Sequence, residues 1–376
     1  MKAAILAPYP VYPPASGVSV VAYNFTKYLA GEKTLFQLSD ESEDGLIEER
    51  FRIFSVRPLS HHPWIKALFM PRVFWSFWRR VVHLKPHLIV LEGGSWAFYY
   101  YVLFLLYKRV SRLPARVVYH AHVVEFVQRR QKNGRFIAWL TEKAEGRLLK
   151  ACDLAFAVSE FDASLMEDKF GVRPLLLPNG VDVKKFESIS RKEGDRIRIK
   201  YRLEGRLVLF MGMTTTKPNK EAIRFLLELV FPAVAGKCPD AKLALIGGVV
   251  DFKADWIVNP GNIPAEDVPA FIKACDLSVV PIFSGSGTRL KILESWAAGV
   301  PVVSTTKGAE GLEAEDGKNI LIADNADDFV EKILVLLKQP RLGRKIAAEG
   351  KRLASNRYAW PKILDETNAV LKRMGA

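Results

Sequence analysis

Two series of short apolar runs, each alternating with helix-patterned stretches, constrain this chain more than any other feature. The first series is AAILAP, HLIVLEG, RVVYHAH, LAFAVS and PLLLPNG, within residues 3–180. The second begins at Arg206 with RLVLFMG and continues through KLALIGG, LSVVPIF, PVVST and NILIAD. Near-continuous β-branched runs read as strands buried on both faces, and their alternation with helices predicts parallel sheets. Two series predict an α/β chain of two Rossmann-like domains, the number that 376 residues also favours. Residues 181–205, VDVKKFESISRKEGDRIRIKYRLEG, are polar and poor in core pattern, and read as the linker. The expected boundaries are 1–187 for the first domain, 188–356 for the second and 357–376 for a C-terminal helix.

Charge narrows the class of partner. The chain has 55 Lys and Arg against 41 Asp and Glu, a net +14, which calls for an anionic partner. Nucleic acid, an anionic membrane and phosphorylated metabolites all qualify. Cys152, Cys238 and Cys275 are too far apart for a metal-ligand motif or a disulfide framework, which fits a reducing, cytoplasmic setting. The opening MKAAILAPYP is too short in apolar residues to act as a signal peptide. The longest apolar window, Trp96 to Tyr107, falls short of the ~20 residues that span a bilayer, so no transmembrane segment is expected.

The chemistry is expected at FSGSGTRLKILESWAAGVPVVST, residues 283–305. Ser284 to Gly287 lie at the carboxyl end of a strand, where open α/β sheets bind ligands. Thr288 to Leu290 would form the first turn of a helix, whose free N–H groups suit a phosphate. Arg289 and Lys291 add full charges. Glu294 lies too deep in that helix to cap it, and a carboxylate there suits vicinal ribose hydroxyls better than phosphate. The stretch thus reads as a nucleotide-diphosphate cradle with a ribose hook. An ordinary strand–turn–helix with surface charges is the competing reading.

Several segments carry a family resemblance. SGSGTRLKILESWAAGVPVVSTTKGAEGL closely resembles the donor segment of the retaining glycosyltransferases of family four, which have the GT-B fold, and most of all their glycine-rich donor-loop subgroup. LPNGVDVKKF (177–186), FMGMTTTKPNKEAI (210–223), YHAHVVEFVQRR (119–130) and RYAWPKIL (357–364) are similar to further family segments. The resemblance implies two Rossmann-like domains facing a central cleft, with the C-terminal helix crossing back to the first. It implies that Glu294 holds the ribose and that the backbone amides at Thr288 and Leu290, beside Gly287, meet the diphosphate. Gly212 and Lys217 fall in the family's phosphate-binding turn, and Gly17 in the βα turn beside the donor phosphate. Ser286 stands where the family usually has the first of two carboxylates with seven residues between them, so that acid is absent and the sugar's identity is left open.

His120 and His122 fall on one face of a strand, and a histidine there is also a common structural residue. The spacing His122-x-x-Glu125 matches a family histidine that contacts the donor sugar, with His120 as the fallback and Glu125 in a supporting place. The implied reaction retains anomeric configuration. Helix dipole, Arg289 or Lys291, and Lys217 would stabilise the departing diphosphate. No Asp-x-Asp motif is present, and neither a metal nor a cofactor is expected. The expected partners are a UDP- or GDP-sugar and a glycan or lipid-linked acceptor, in cell-envelope polysaccharide or glycolipid synthesis. A nucleotide-sugar epimerase and a non-catalytic nucleotide- or glycan-binding protein are the alternatives. No nucleic-acid motif accompanies the positive charge.

One further stretch concerns a membrane. Between Glu49 and Glu92 there is no acidic residue, and eight Arg or Lys lie from Arg50 to Lys85. On a helix beginning near Pro71, Arg72, Ser76, Arg79, Arg80 and His83 share one face, and Phe74, Trp75, Trp78, Val81 and Val82 the other. Such a helix suits peripheral contact with an anionic membrane at its inner face, or packing on its own sheet with a solvated basic side.

Overall fold

The computed structural model describes residues 1–376 except 15, 41–43, 48–49, 59–62, 94–96, 286–289 and 376, and within helices omits the side chains of 63–67, 98, 104, 111, 131–133, 191 and 375. The chain divides into two compact units, 1–179 with 360–376, and 180–359.

The first unit holds an eight-stranded sheet of β1 (Lys2–Ala7), β2 (Glu32–Leu38), β3 (Gly45–Ile47), β4 (Phe51–Val56), β5 (Leu88–Glu92), β6 (Arg116–Ala121), β7 (Leu154–Ala157) and β8 (Leu175–Leu176). Their spatial order is β3-β4-β2-β1-β5-β6-β7-β8, and only the β3–β4 pair is antiparallel. From β1 the chain steps to β2 and β4, then returns to β5 on the other side. The sheet therefore reverses direction between β1 and β5, the switch point where such sheets bind ligands. The helix Gly17–Tyr28 leaves β1 at that point. Asn368 of the terminal helix Trp360–Gly375 accepts from Ala30 N at 2.9 Å and donates to Tyr28 O at 3.2 Å, which ties the chain's end to this unit.

The second unit is a six-stranded parallel sheet of β9 (Arg206–Met211), β10 (Ala241–Ile246), β11 (Ile257–Gly261), β12 (Leu277–Val280), β13 (Val302–Ser304) and β14 (Leu321–Ile322). Its order is β11-β10-β9-β12-β13-β14, so its switch point lies between β9 and β12. Leu207 to Phe210 and Leu277 to Val280 are almost wholly buried, as expected of central strands covered on both faces.

Two expectations are corrected. Residues 181–205 are not a linker: they form the helices Val183–Glu187 and Arg191–Lys200, and Val183, Phe186, Ile197 and Leu203 enter the second core. Ser190 and Glu193 make a capping box that starts the second of these helices inside a highly charged sequence. The basic helix starts at Pro63, not Pro71, and its faces divide differently from the expectation. Phe74, Trp78 and Val81 are buried, but Trp75 is 51% exposed among the arginines. Arg80 lies over the Phe54 ring at 3.9 Å, so its guanidinium is a packing group as well as a charge. Among the described residues, no helix is long and apolar enough to cross a membrane.

Candidate active site

At the first switch point, β5 and β6 pair in parallel with Glu92 opposite His120. This register places a carboxylate beside the two histidines. Glu92 Oε2 lies 2.6 Å from His122 Nε2 and 3.1 Å from His120 Nδ1. All three side chains are buried. Gly93 makes the arrangement fit: a Cβ there would lie 2.8 Å from the carbonyl oxygen of His120 and 3.1 Å from His122 N. Burial alone would raise the Glu92 carboxyl, but His120 and His122 outweigh it and hold the group at about 2. Burial and the neighbouring His120 push His122 below its ordinary value, against the opposing pull of Glu92. An ionised Glu92 only accepts, so a neutral His122 carries its proton on Nε2 and presents a bare lone pair at Nδ1. That Nδ1 is buried and has no hydrogen-bond partner among the described residues.

Glu92, His120 and His122 could also be a set of metal ligands. Their spacing is that of hydrogen bonds, however, and a metal-bound histidine normally donates its other nitrogen to an acceptor. His120 Nε2 and His122 Nδ1 have no such acceptor among the described residues.

Glu125 is fully buried beside Tyr119, whose hydroxyl donates to it at 3.1 Å, and Ala97 N donates to it at 3.1 Å. Glu145 accepts from Glu125 N at 2.9 Å and Phe126 N at 3.1 Å, and so caps the helix Glu125–Asn133. Burial and the Glu125 charge raise Glu145 well above the usual range. Glu125 thus anchors the segment that follows His122. Gly17 is exposed at the first turn of its helix, where Ser16 Oγ caps Ser19 N at 3.2 Å and no acidic residue is present.

At the second switch point, Gly212 follows β9 and a loop follows β12. Ser286, Gly287, Thr288 and Arg289 lie outside the described residues. Leu290 opens the helix Leu290–Ala298 and packs against the second core. Lys291 Nζ donates to Asn219 Oδ1 at 3.1 Å and lies 4.5 Å from the centre of the Phe210 ring. A Cβ on Gly212 would lie 2.7 Å from Asn219 Nδ2 and 3.0 Å from Lys291 Nζ, so that position admits no side chain without displacing both. Lys217 begins the helix Lys217–Phe225, its side chain 79% exposed and 3.8 Å from Glu221. Ser284 Oγ donates to Glu221 at 2.6 Å, which fastens the strand end to that helix. Thr216 makes no side-chain cap, and because Pro218 carries no N–H and Lys220 N bonds to Thr216 O, the amides this helix end can offer an anion are those of Lys217 and Asn219.

Glu294 is half-buried on the same helix as Lys291. Burial pushes its carboxyl up to about 7, against the charges of Lys185 and Lys291. Gly212, Lys217 and Lys291 thus gather at one strand end, with Glu294 one helical turn beyond Lys291. The sequence reading missed Glu92, Asn219, Glu221 and Lys185. Each acts through a neighbour distant in sequence, and the sequence positions of Asn219 and Glu221, two and four residues after Lys217, could have flagged those two.

The description Glycosyltransferase Family 4 matches residues 15–185, and Glycosyl transferases group 1 matches residues 205–339. The chain is 22% identical over 319 residues to an uncharacterized glycosyltransferase of Methanocaldococcus jannaschii, covering 81% of both chains. It is 26% identical over 253 residues to a GDP-mannose-dependent alpha-(1-6)-phosphatidylinositol monomannoside mannosyltransferase of Mycolicibacterium smegmatis, covering 61% of this chain and 65% of the relative. Among solved structures, Anabaena HepE in complex with UDP-glucose superposes with a TM-score of 0.75 at 15% identity, over 99% of both chains. The sucrose-phosphate synthase of Thermosynechococcus elongatus superposes at 0.78 and 15% identity, over 100% of this chain and 99% of that one. The chain belongs to the glycosyltransferases of family four and has the GT-B fold.

Proposed function

We propose that the protein transfers a sugar, with retention of anomeric configuration, from a UDP- or GDP-sugar to a glycan or lipid-linked acceptor. The observation that carries the reading is the cluster at the end of β9 and β12. Lys291 and the N-terminus of the Lys217–Phe225 helix flank Gly212, and Glu294 lies beside Lys291. Cations and free amides suit a diphosphate, and the carboxylate suits a ribose. In this reading the bond from C1 to the diphosphate oxygen breaks, and its electron pair stays with the phosphate. Lys291, Lys217 and Arg289 stabilise that charge without a metal ion. The acceptor hydroxyl attacks C1 on the departing face and gives its proton to the leaving phosphate. His122 accepts a hydrogen bond from a hydroxyl of the donor sugar through Nδ1, and Glu92 fixes the tautomer that allows it. Ser286, Gly287, Thr288 and Gly17 border the phosphates, and His120 and Glu125 hold the histidine segment.

HepE was crystallised with UDP-glucose, and the mycobacterial relative is named for GDP-mannose and a phosphatidylinositol mannoside. Both support a nucleotide-sugar donor, and the second supports a lipid-linked acceptor. The test is to incubate the protein with each of a panel of UDP- and GDP-sugars and a membrane lipid extract. The expected result is a lipid heavier by one sugar, whose α or β configuration matches that of the donor. A product of inverted configuration rejects retention. A changed donor sugar without any acceptor indicates an epimerase instead.

A further inference from the structure

We infer that the outer surface of three helices in the first unit, Pro63–Leu84, residues 97–111 and Arg135–Ala151, is a docking face for an anionic lipid bilayer. The inference rests on the lipid-linked acceptor proposed above and names the surface that brings the protein to it. The three segments connect β4 to β5, β5 to β6 and β6 to β7, all stepping the same way across the sheet. Right-handed crossovers therefore put them on one side, opposite the Gly17–Tyr28 helix. They pack in order: Trp75 of the first meets Tyr107 of the second at 5.6 Å between rings, and the second packs on the third.

Each helix turns large apolar groups away from the sheet. Leu68 and Trp75 protrude from the first, Leu106 and Val110 from the second, and Phe136 and Trp139 from the third. Leu68 and Val110 are each 75% exposed and Phe136 is 71% exposed. The rings of Phe136 and Trp139 stack on each other at 6.2 Å, so the pair projects as one wedge. Exposed apolar groups on three adjacent helices make a patch of the kind that marks an interaction site.

Charge identifies the occupant. From Arg50 to Thr141 there are sixteen lysines and arginines and only two acids, Glu92 and Glu125. Both acids are buried, Glu92 at 0% exposure and Glu125 at 1%. Arg72, Arg79, Arg109 and Arg135 are exposed on the same three segments as the apolar groups. On the C-terminal side, Glu142 pairs with Lys169, Glu145 is buried, and Asp153 pairs with Lys108 and Arg116. A partner must therefore supply anionic charge over a broad area and accept protruding leucine, valine and tryptophan. A bilayer with anionic headgroups does both. A nucleic acid supplies the charge, but it leaves Leu68, Leu106 and Val110 in water.

The test is flotation with vesicles of phosphatidylcholine mixed with phosphatidylglycerol, beside vesicles of phosphatidylcholine alone. The wild type is expected to float only with the mixed vesicles. Leu106→Ser with Trp139→Ser should lower partitioning about tenfold at physiological salt, and Arg72→Gln with Arg109→Gln by a similar factor that grows at low salt. Brominated phosphatidylcholine in the mixed vesicles should quench part of the wild-type tryptophan emission, a readout that needs no variant. The inference is overturned if the wild type fails to float at low salt, or if the serine variant floats as well as the wild type. Salt-sensitive binding to single-stranded RNA that survives the serine changes, with no flotation, also overturns it. Thermal stabilisation by a nucleotide sugar is read on the same proteins. Flotation without that stabilisation supports the face and counts against the transferase reading alone. Stabilisation without flotation does the reverse.

Discussion

Oε2 of Glu92 lies 2.6 Å from Nε2 of His122, both buried, with the carboxyl held at about 2. The proton of a neutral His122 is therefore fixed on the nitrogen that faces Glu92, and Nδ1 is left bare. Glu92 is a positioning residue in this account. Glu92→Gln gives the two imidazoles one acceptor and one donor in place of two acceptors, so one of them must reverse its tautomer. The turnover number should fall by on the order of 10- to 100-fold, the cost of one misdirected hydrogen bond, with little change in donor KM. Glu92 raises His122, so the acid limb of the turnover profile should move to lower pH in the variant. A limb that stays in place, or a loss confined to KM, contradicts the positioning role.

The same pair links stability to pH. Glu92 sits at about 2 in the folded protein against 4.5 for an ordinary glutamate. Its folded value is depressed, so its contribution is fully present above 4.5 and is lost as pH falls towards 2. Denaturant melts of the wild type should show stability falling across that window, and Glu92→Gln should be less stable at pH 7 with a shallower fall. Parallel pH dependences in the two proteins would show that other groups govern acid unfolding.

Much of this architecture was legible, because central parallel strands are continuous apolar runs. The strands β2 and β4 were not. β2 buries Lys33 and Gln37, whose partners are Lys27 O and the amides of Val11 and Tyr12. Polar side chains satisfied only by the tertiary fold erase the apolar run that reveals a strand. Residues 181–205 misled for the same reason: five buried apolar residues are enough to dock a segment whose other positions are largely charged. Glu92 was invisible as a site residue because its meaning depends on the register of β5 against β6. Lys291 was found by its motif, but its tie to Asn219 joins helices 72 residues apart.

Lys291 and Gly212 give a second pair to test. Lys291→Met keeps the stem over Phe210 and removes the charge. It should lower turnover on the order of 100-fold if that charge meets the leaving phosphate, with little change in the unfolding midpoint. Gly212→Ala places a methyl 3.0 Å from Lys291 Nζ and should lower turnover in the same direction through displacement. Full activity in Lys291→Met, assayed with a chelator present, would transfer the role to other groups.

Glu294 predicts a pH dependence of donor binding. Burial holds its carboxyl at about 7, so the free protein is partly protonated there at neutral pH. Two ribose hydroxyls donate only to the ionised form without loss. Donor affinity should therefore weaken as pH falls below about 7, at most tenfold per pH unit, and binding at pH 7 should release a fraction of a proton. Calorimetry in two buffers of different ionisation enthalpy measures that release. Zero release, with affinity flat from pH 5 to 8, contradicts the assignment.

The most direct measurement is the shift in unfolding midpoint caused by UDP-, GDP- and ADP-sugars, on the wild type and on Glu294→Ala. A ligand that binds only the folded protein must raise its stability. The account predicts that a UDP- or GDP-sugar raises the wild-type midpoint, and that Glu294→Ala folds normally but binds that donor about tenfold or more weakly, the scale of one lost charged acceptor. No shift with any nucleotide sugar, or an equal shift in both proteins, would contradict it.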